Sequence, residues 1–216
     1  MAHPQLLDSP LFQVYFHELW GLADSISKKC LIVFEACPVA AKDGYIKIDP
    51  ALHGVIAALL AEAANLKKML AVPDRPGFKE SVEQFAFRVG RTKLLNEALG
   101  YPDLSEISRA ETRNSVEHFD QYLDRASLSL SASDGEVSGM ALYNMVLSSW
   151  AVFSEKSFPL KVYVADERKY LNLDYVADLS SINNESLDLI ARIRAVGVFK
   201  NDEGPGGLMV RVMRST

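Results

Sequence analysis

Cysteine is scarce in this chain: 216 residues hold only Cys30 and Cys37. Two thiols cannot make a disulfide framework, and the six residues between them exceed the spacing of a zinc knuckle, so both are expected as reduced, buried side chains. Long apolar runs are missing as well. The best candidate, Val55 to Ala64, is broken by Glu62 and falls short of the roughly 20 residues a membrane helix needs. The first residues, Met1-Ala2-His3-Pro4-Gln5, lack a basic stretch followed by an apolar core. No secretory leader and no membrane association are therefore expected, and the expected location is the cytoplasm.

Strong charge of one sign is also lacking. The formal charge is −5, and residues 1–128 hold 14 Lys and Arg against 17 Asp and Glu, while the remainder holds 9 against 11. Such a balance argues against tight nonspecific binding to duplex DNA, which rests on neutralising many phosphates, but leaves room for a local basic groove.

Most catalytic signatures are absent. His17-Glu18 is followed by Leu19, Trp20 and Gly21, so the second histidine of a zinc-protease helix is missing. Gly204-Pro205-Gly206-Gly207 lacks the lysine of a phosphate-binding loop. No G-x-S-x-G elbow and no G-x-G-x-x-G dinucleotide fingerprint occurs. The acidic residues are spread along helix faces without a metal-like cluster, so neither a metal nor another cofactor is expected.

What the sequence does contain is a run of helices with clear punctuation. Ser9-Pro10 opens a first helix with Leu11, Tyr15, Leu19, Leu22, Ile26 and Cys30 at helical spacing. Asp49-Pro50 repeats the device ahead of Leu52, Val55, Ile56, Leu59, Leu60, Ala63, Leu66 and Leu70. A third helix spans Lys79 to Ala98, with Phe78, Val82, Phe85 and Val89 as its apolar stripe and Gly100-Tyr101-Pro102 as its stop. Asp103 and Glu106 form a capping-box-like start for a fourth, running to about Arg125.

After Ala126 the texture changes. Ser127 to Ser133 alternates leucine with serine and, with the turn Asp134-Gly135 and apolar Met140 to Leu147, reads as a strand pair. Leu160, Val162 and Val164, then Leu171, Leu173 and Tyr175, alternate with polar residues around the turn Asp166 to Lys169 and predict a hairpin. Asn183 or Asn184 caps a helix carrying Leu187, Ile190, Ile193 and Val196, and Leu208 to Met213 reads as a last strand. The expected class is α+β: a bundle of about four helices over residues 1–128, then a smaller α+β segment with a β-hairpin over 129–216, separate or packed on the bundle as one unit.

One string on the fourth helix carries chemistry: Arg113-Asn114-Ser115-Val116-Glu117-His118, followed by Phe119-Asp120. A histidine can take a proton from a 2′-hydroxyl or deliver one to the leaving 5′-oxygen, and an arginine can stabilise the added negative charge at phosphorus. Asn114 stands at i−4 to His118, placed to orient it or to hold a phosphate oxygen. On a straight helix, however, Arg113 lies about 140° from His118 and is spaced to pair with Glu117. Arg88, Arg91 and Lys93 form a local basic cluster on the third helix. Of these, Arg88 and Arg91 are taken as substrate-binding residues that could guide RNA.

The string resembles the Arg-polar-x-x-x-His motif of HEPN-domain proteins. The resemblance covers the motif and the helical layout of roughly residues 9–126. It implies a homodimer that brings two motif copies together as a metal-independent endoribonuclease of toxin or defence type. Arg113, Asn114 and His118 would be its catalytic residues, RNA its substrate, and an antitoxin or regulatory protein a partner. The alternative is a noncatalytic helical interaction or regulatory module in which His118 is structural.

Overall fold

Asp49 and Pro50 do what their residue types dictate. The Asp49 carboxylate accepts a hydrogen bond from the Leu52 amide at 3.0 Å, and Pro50, with its preset φ, fills the first helical position. The helix they open belongs to a computed structural model that describes residues 11–36, 46–72, 74–109, 111–131, 139–152, 157–199 and 207–210. In chain order its elements are α1 (Phe12–Ala36), β1 (Ile46–Ile48), α2 (Pro50–Leu70), α3 (Val82–Ala98), α4 (Glu111–Glu117) and α5 (Phe119–Ser131). They continue with β2 (Met140–Leu147), a 3-10 turn (Trp150–Val152), β3 (Ser157–Val164), β4 (Lys169–Asn172), β5 (Tyr175–Asp178) and α6 (Leu179–Val196).

The expected layout, a bundle of about four helices followed by a small α+β segment, is corrected. The described residues form six helices and one five-stranded mixed sheet of order β1-β2-β3-β4-β5. The sheet begins with a strand from the first half, β1, which pairs antiparallel with β2 so that Ile46 faces Leu147. Helix α1 packs against α2 on one side and the C-terminal α6 on the other. Residue 128 lies inside α5. One apolar cluster gathers Phe16, Ile26 and Cys30 of α1, Leu59 and Leu66 of α2, Tyr163 and Tyr170 of the sheet, and Leu189 and Ile193 of α6. Burying a side chain of this size is worth about 1.5–3 kcal/mol, so no element in that cluster is dispensable.

Local differences follow the same cause, tertiary contacts that the chain cannot announce locally. The inner face of α1 is Phe16, Leu19, Ala23, Ile26, Cys30 and Val33, while Leu11 is exposed. Phe78 and Val82 of the expected third-helix stripe are 93% and 82% exposed, because only the C-terminal half of α3, through Thr92, Leu94 and Leu95, docks on the body. Its cap is Ser81, whose hydroxyl accepts from the Gln84 amide. Residues 127–131 are helical, not a strand. Helix α4 starts at Glu111 rather than near Asp103, and α6 starts at Leu179 with Asp178 as its cap rather than Asn183 or Asn184.

The hairpin is β3–β4, turning through residues 165–168, but Tyr175 belongs to β5 beyond a second turn at Leu173-Asp174. Strand β2 runs parallel to β3, and residues 127–131 form no hairpin with it. Leu208 to Val210 carries no strand, and the rest of that expected element, Ser9-Pro10, Cys37 and the Asp134-Gly135 turn lie outside the described residues. Among the described residues, no helix is long and apolar enough to cross a membrane.

One buried side chain went unassigned by sequence reasoning. His53, on the first turn of α2, is 5% exposed and lies 5.8 Å from the Tyr170 ring. Burial pushes its pKa below the ordinary 6.5, and the carbonyls of Asn144 and Met145 and the Asp49 charge only partly oppose that. The folded state therefore prefers the neutral ring, and His53 contributes stability that is present above pH 6.5 and is lost as pH falls from 6.5 through its folded value. Thermal melts at pH 7.5, 6.5 and 5.5 should show a falling midpoint that is shallower in His53→Leu. Equal slopes in the two proteins would dismiss the assignment.

Candidate functional site

The C-terminal half of α2, the start of α3's docked half, the turn at residues 105–108 and helix α4 meet around a cavity of about 670 Å³. Its floor is apolar, with Leu60, Ala63, Ala64, Ile107, Ala177 and Ile182. Around that floor stand six cationic side chains, Lys67, Lys68, Arg88, Arg91, Arg109 and Arg113, against two carboxylates, Asp74 and Glu106. In a chain whose formal charge is −5, this lining carries a surplus of positive charge. Low-dielectric walls focus its field.

Each element arrives for a local reason. Glu185 of α6 accepts from the Glu106 and Ile107 amides, both at 2.8 Å, and from the Ser105 hydroxyl, which anchors the turn to α6. Glu106 in turn accepts from the Asp178 amide at 2.9 Å. Helix α4 is tied to the sheet by a buried polar relay. The Asn172 side-chain amide donates to the Ser115 hydroxyl at 2.9 Å, and that hydroxyl donates to the Thr112 carbonyl at 2.7 Å. The Asn172 carbonyl oxygen accepts from the Lys161 amide at 3.1 Å. That last bond has a geometric origin: Lys161 has φ +61° and Asn144 has φ +54°, so both parallel strands kink where the β2–β3 register skips this pair. These anchors present Arg113 and Asn114 to the cavity.

The cations are not equally occupied. Arg88 is held by Glu80 at 2.6 Å, and together with the Gly77 amide it draws the Glu80 carboxyl down to about 2. Arg109 pairs with Glu106 at 3.1 Å, and Arg113 with Glu117 at 2.6 Å. Lys67 donates to the Ser108 carbonyl, Lys68 to Asn65, and Arg91 to the Lys68 carbonyl while lying over the Tyr15 ring. Among the described residues, these last three have no carboxylate in ion-pair range. Arg91 and Arg113 each keep a buried Nε–H with no acceptor. The cationic groups that line the cavity, not these buried Nε–H donors, are the ones an anion with several acceptor oxygens can reach.

Of the residues singled out from sequence, Arg88, Arg91, Arg113 and Asn114 therefore meet at one cavity, with Arg113 also donating to the Asn114 side-chain Oδ1 at 3.3 Å. His118 does not line it. It is exposed at the junction of α4 and α5, one turn beyond Asn114, and the ion pair of Arg113 with Glu117 turns the guanidinium to a neighbouring stripe. Phe16 and Trp20 are core residues. Lys67, Lys68 and Arg109 were missed because their only local signal is that of an ordinary polar helix face or turn. Among the described residues, no group of three His, Cys, Asp or Glu could hold a metal ion.

Comparison of the chain with protein-family models, with curated proteins and with solved structures finds no match.

Proposed function

We propose that the protein binds RNA through the cationic cavity and, as a homodimer, cleaves it by acid–base chemistry with an Arg/His pair. The observation that carries the proposal is the gathering of six Lys and Arg side chains over an apolar floor in a chain of net negative charge. Lys67, Lys68 and Arg91 neutralise a phosphate, while Arg113 and Asn114 offer it directed donors. His118 stands on the stripe of Asn114 but outside the lining, so the catalytic pair is completed across a two-fold axis, His118 of one chain meeting Arg113 of the other. There histidine takes the 2′-hydroxyl proton as that oxygen attacks phosphorus, arginine steadies the charge that builds there, and the P–O5′ bond breaks to leave a 2′,3′-cyclic phosphate and a 5′-hydroxyl protonated by histidine or water.

The exposed position of His118 favours a second reading, a noncatalytic RNA-binding module. A single set of measurements separates the two. A fluorescein-labelled single-stranded RNA of about 12 nucleotides is followed by anisotropy and by gel, with EDTA present throughout. Arg113→Ala should weaken binding about tenfold. His118→Ala should bind as wild type does but lose cleavage. Wild-type binding without cleavage selects the noncatalytic module, and unchanged binding by Arg113→Ala removes the cavity from both readings.

A further inference from the structure

The α4–α5 junction interrupts the helix less than its boundaries suggest. The His118 amide donates to the Asn114 carbonyl at 2.7 Å, and the Tyr122 amide donates to the His118 carbonyl at 3.1 Å. Two i to i+4 bonds thus bridge the turn at His118 that separates α4 from α5. Asn114, His118 and Tyr122 lie on one stripe, and Asn114 and Tyr122 are separated by about 12 Å along the axis. At the near end of that stripe is the cationic cavity. At the far end is a second cavity of about 540 Å³, lined by Tyr122, Arg125, Phe158, Asp174 and Tyr175 among others.

The second cavity has a different chemistry. The Tyr122 and Tyr175 rings meet edge to face at 5.4 Å, and the Arg125 guanidinium lies 5.4 Å over Tyr122. Burial, then the Tyr122 neighbour, raises the Tyr175 phenol above its ordinary pKa, so the hydroxyl is neutral at physiological pH. Aromatic faces accept any flat ring, and an arginine and a carboxylate beside them can meet the carbonyl and amino groups on its edge.

We infer that this cleft is a nucleobase subsite: it stacks a base of the strand whose phosphate sits in the cationic cavity, with His118 between the two. The inference rests on the RNA reading and adds to it a site that recognises bases rather than charge. The strand is set by a phosphate anchor at Asn114 and a stacked base two helical turns away, which places the intervening sugar and phosphate along the His118 stripe.

The test compares two labelled strands of equal length and charge, one an ordinary single-stranded RNA and one with abasic residues. Wild type should bind the ordinary strand on the order of 5- to 100-fold more tightly. Tyr122→Ala should lose most of that preference while binding the abasic strand as before, and Tyr122→Phe should retain it. Arg125→Ala, an exposed position that the fold does not depend on, should lose part of it. Equal wild-type affinity for the two strands, or an undiminished preference in both Tyr122→Ala and Arg125→Ala, overturns the subsite while leaving RNA binding intact. A wild type that binds neither strand overturns the RNA reading and the subsite together.

Discussion

Arg91→Glu should weaken RNA binding on the order of 100-fold at low salt, and Lys93→Glu should change it by no more than about threefold. The two substitutions alter net charge equally and lie two residues apart on α3. Arg91 lines the cationic cavity with no carboxylate in ion-pair range among the described residues, whereas Lys93 is exposed and outside the lining. A reversed charge at Arg91 repels the phosphate and also pulls on Lys67 and Lys68, the other two cations without a carboxylate. The plot of log affinity against log salt should flatten for Arg91→Glu by about 0.7 for each phosphate that is no longer neutralised. Anisotropy titrations at several salt concentrations measure both quantities. If Lys93→Glu matched Arg91→Glu, binding would follow net charge, and the cavity would have no part in it.

The second large effect concerns stability. Asn172 is fully buried, and its amide satisfies the Lys161 N–H on one strand and the Ser115 hydroxyl on α4. Asn172→Leu keeps the branched shape of the side chain, though with more bulk, and leaves the kinked Lys161 amide without an acceptor and Ser115 without its donor. The loss should be about 2–4 kcal/mol, seen as a lowered urea midpoint or a Tm reduced by roughly 5–15 °C. Asn184→Leu, the same exchange at an exposed site on α6, should stay within about 0.5 kcal/mol. RNA affinity should also fall in Asn172→Leu at temperatures where it is still folded, because Ser115 holds the helix that carries Arg113 and Asn114. An unchanged midpoint would mean that water or a backbone shift replaces the relay.

The parts of this fold that were legible in the sequence are those whose cause is local. Asp49-Pro50 starts a helix because a carboxylate and a fixed φ suffice. The turn at residues 165–168 joins β3 to β4 because alternation on both sides brings Val162 opposite Leu171. Where the cause was distant, sequence reasoning failed. Strand β1 has three residues and finds its partner about a hundred positions later. The start of α4 is set partly by Glu185 of α6, which takes the amides that Asp103 would have capped. The leucine–serine alternation of residues 127–131 imitates a strand, but serine can satisfy its hydroxyl within a helix, and Ser131 donates to the Ser127 carbonyl four residues back at 2.8 Å. At the site, Arg88, Arg91, Arg113 and Asn114 stood out by type, whereas Arg109 did not. The lysines of α2 did not, since only folding brings them to face α4.

The packing of α1 between α2 and α6 sets an order on synthesis. Helix α1 needs α6, made long after it, to cover it, and Ile26 and Cys30, fully buried in the finished molecule, belong to the core that this later element completes. The Cys30 thiol, which burial raises to about 12 once α6 is docked, meets water until then with ordinary reactivity. A nascent chain stalled before residue 179 should therefore label at Cys30 with a thiol reagent that Cys30 of the released protein resists. Chains whose contacts reach this far along the sequence fold slowly, and here the waiting helix carries its own reporter.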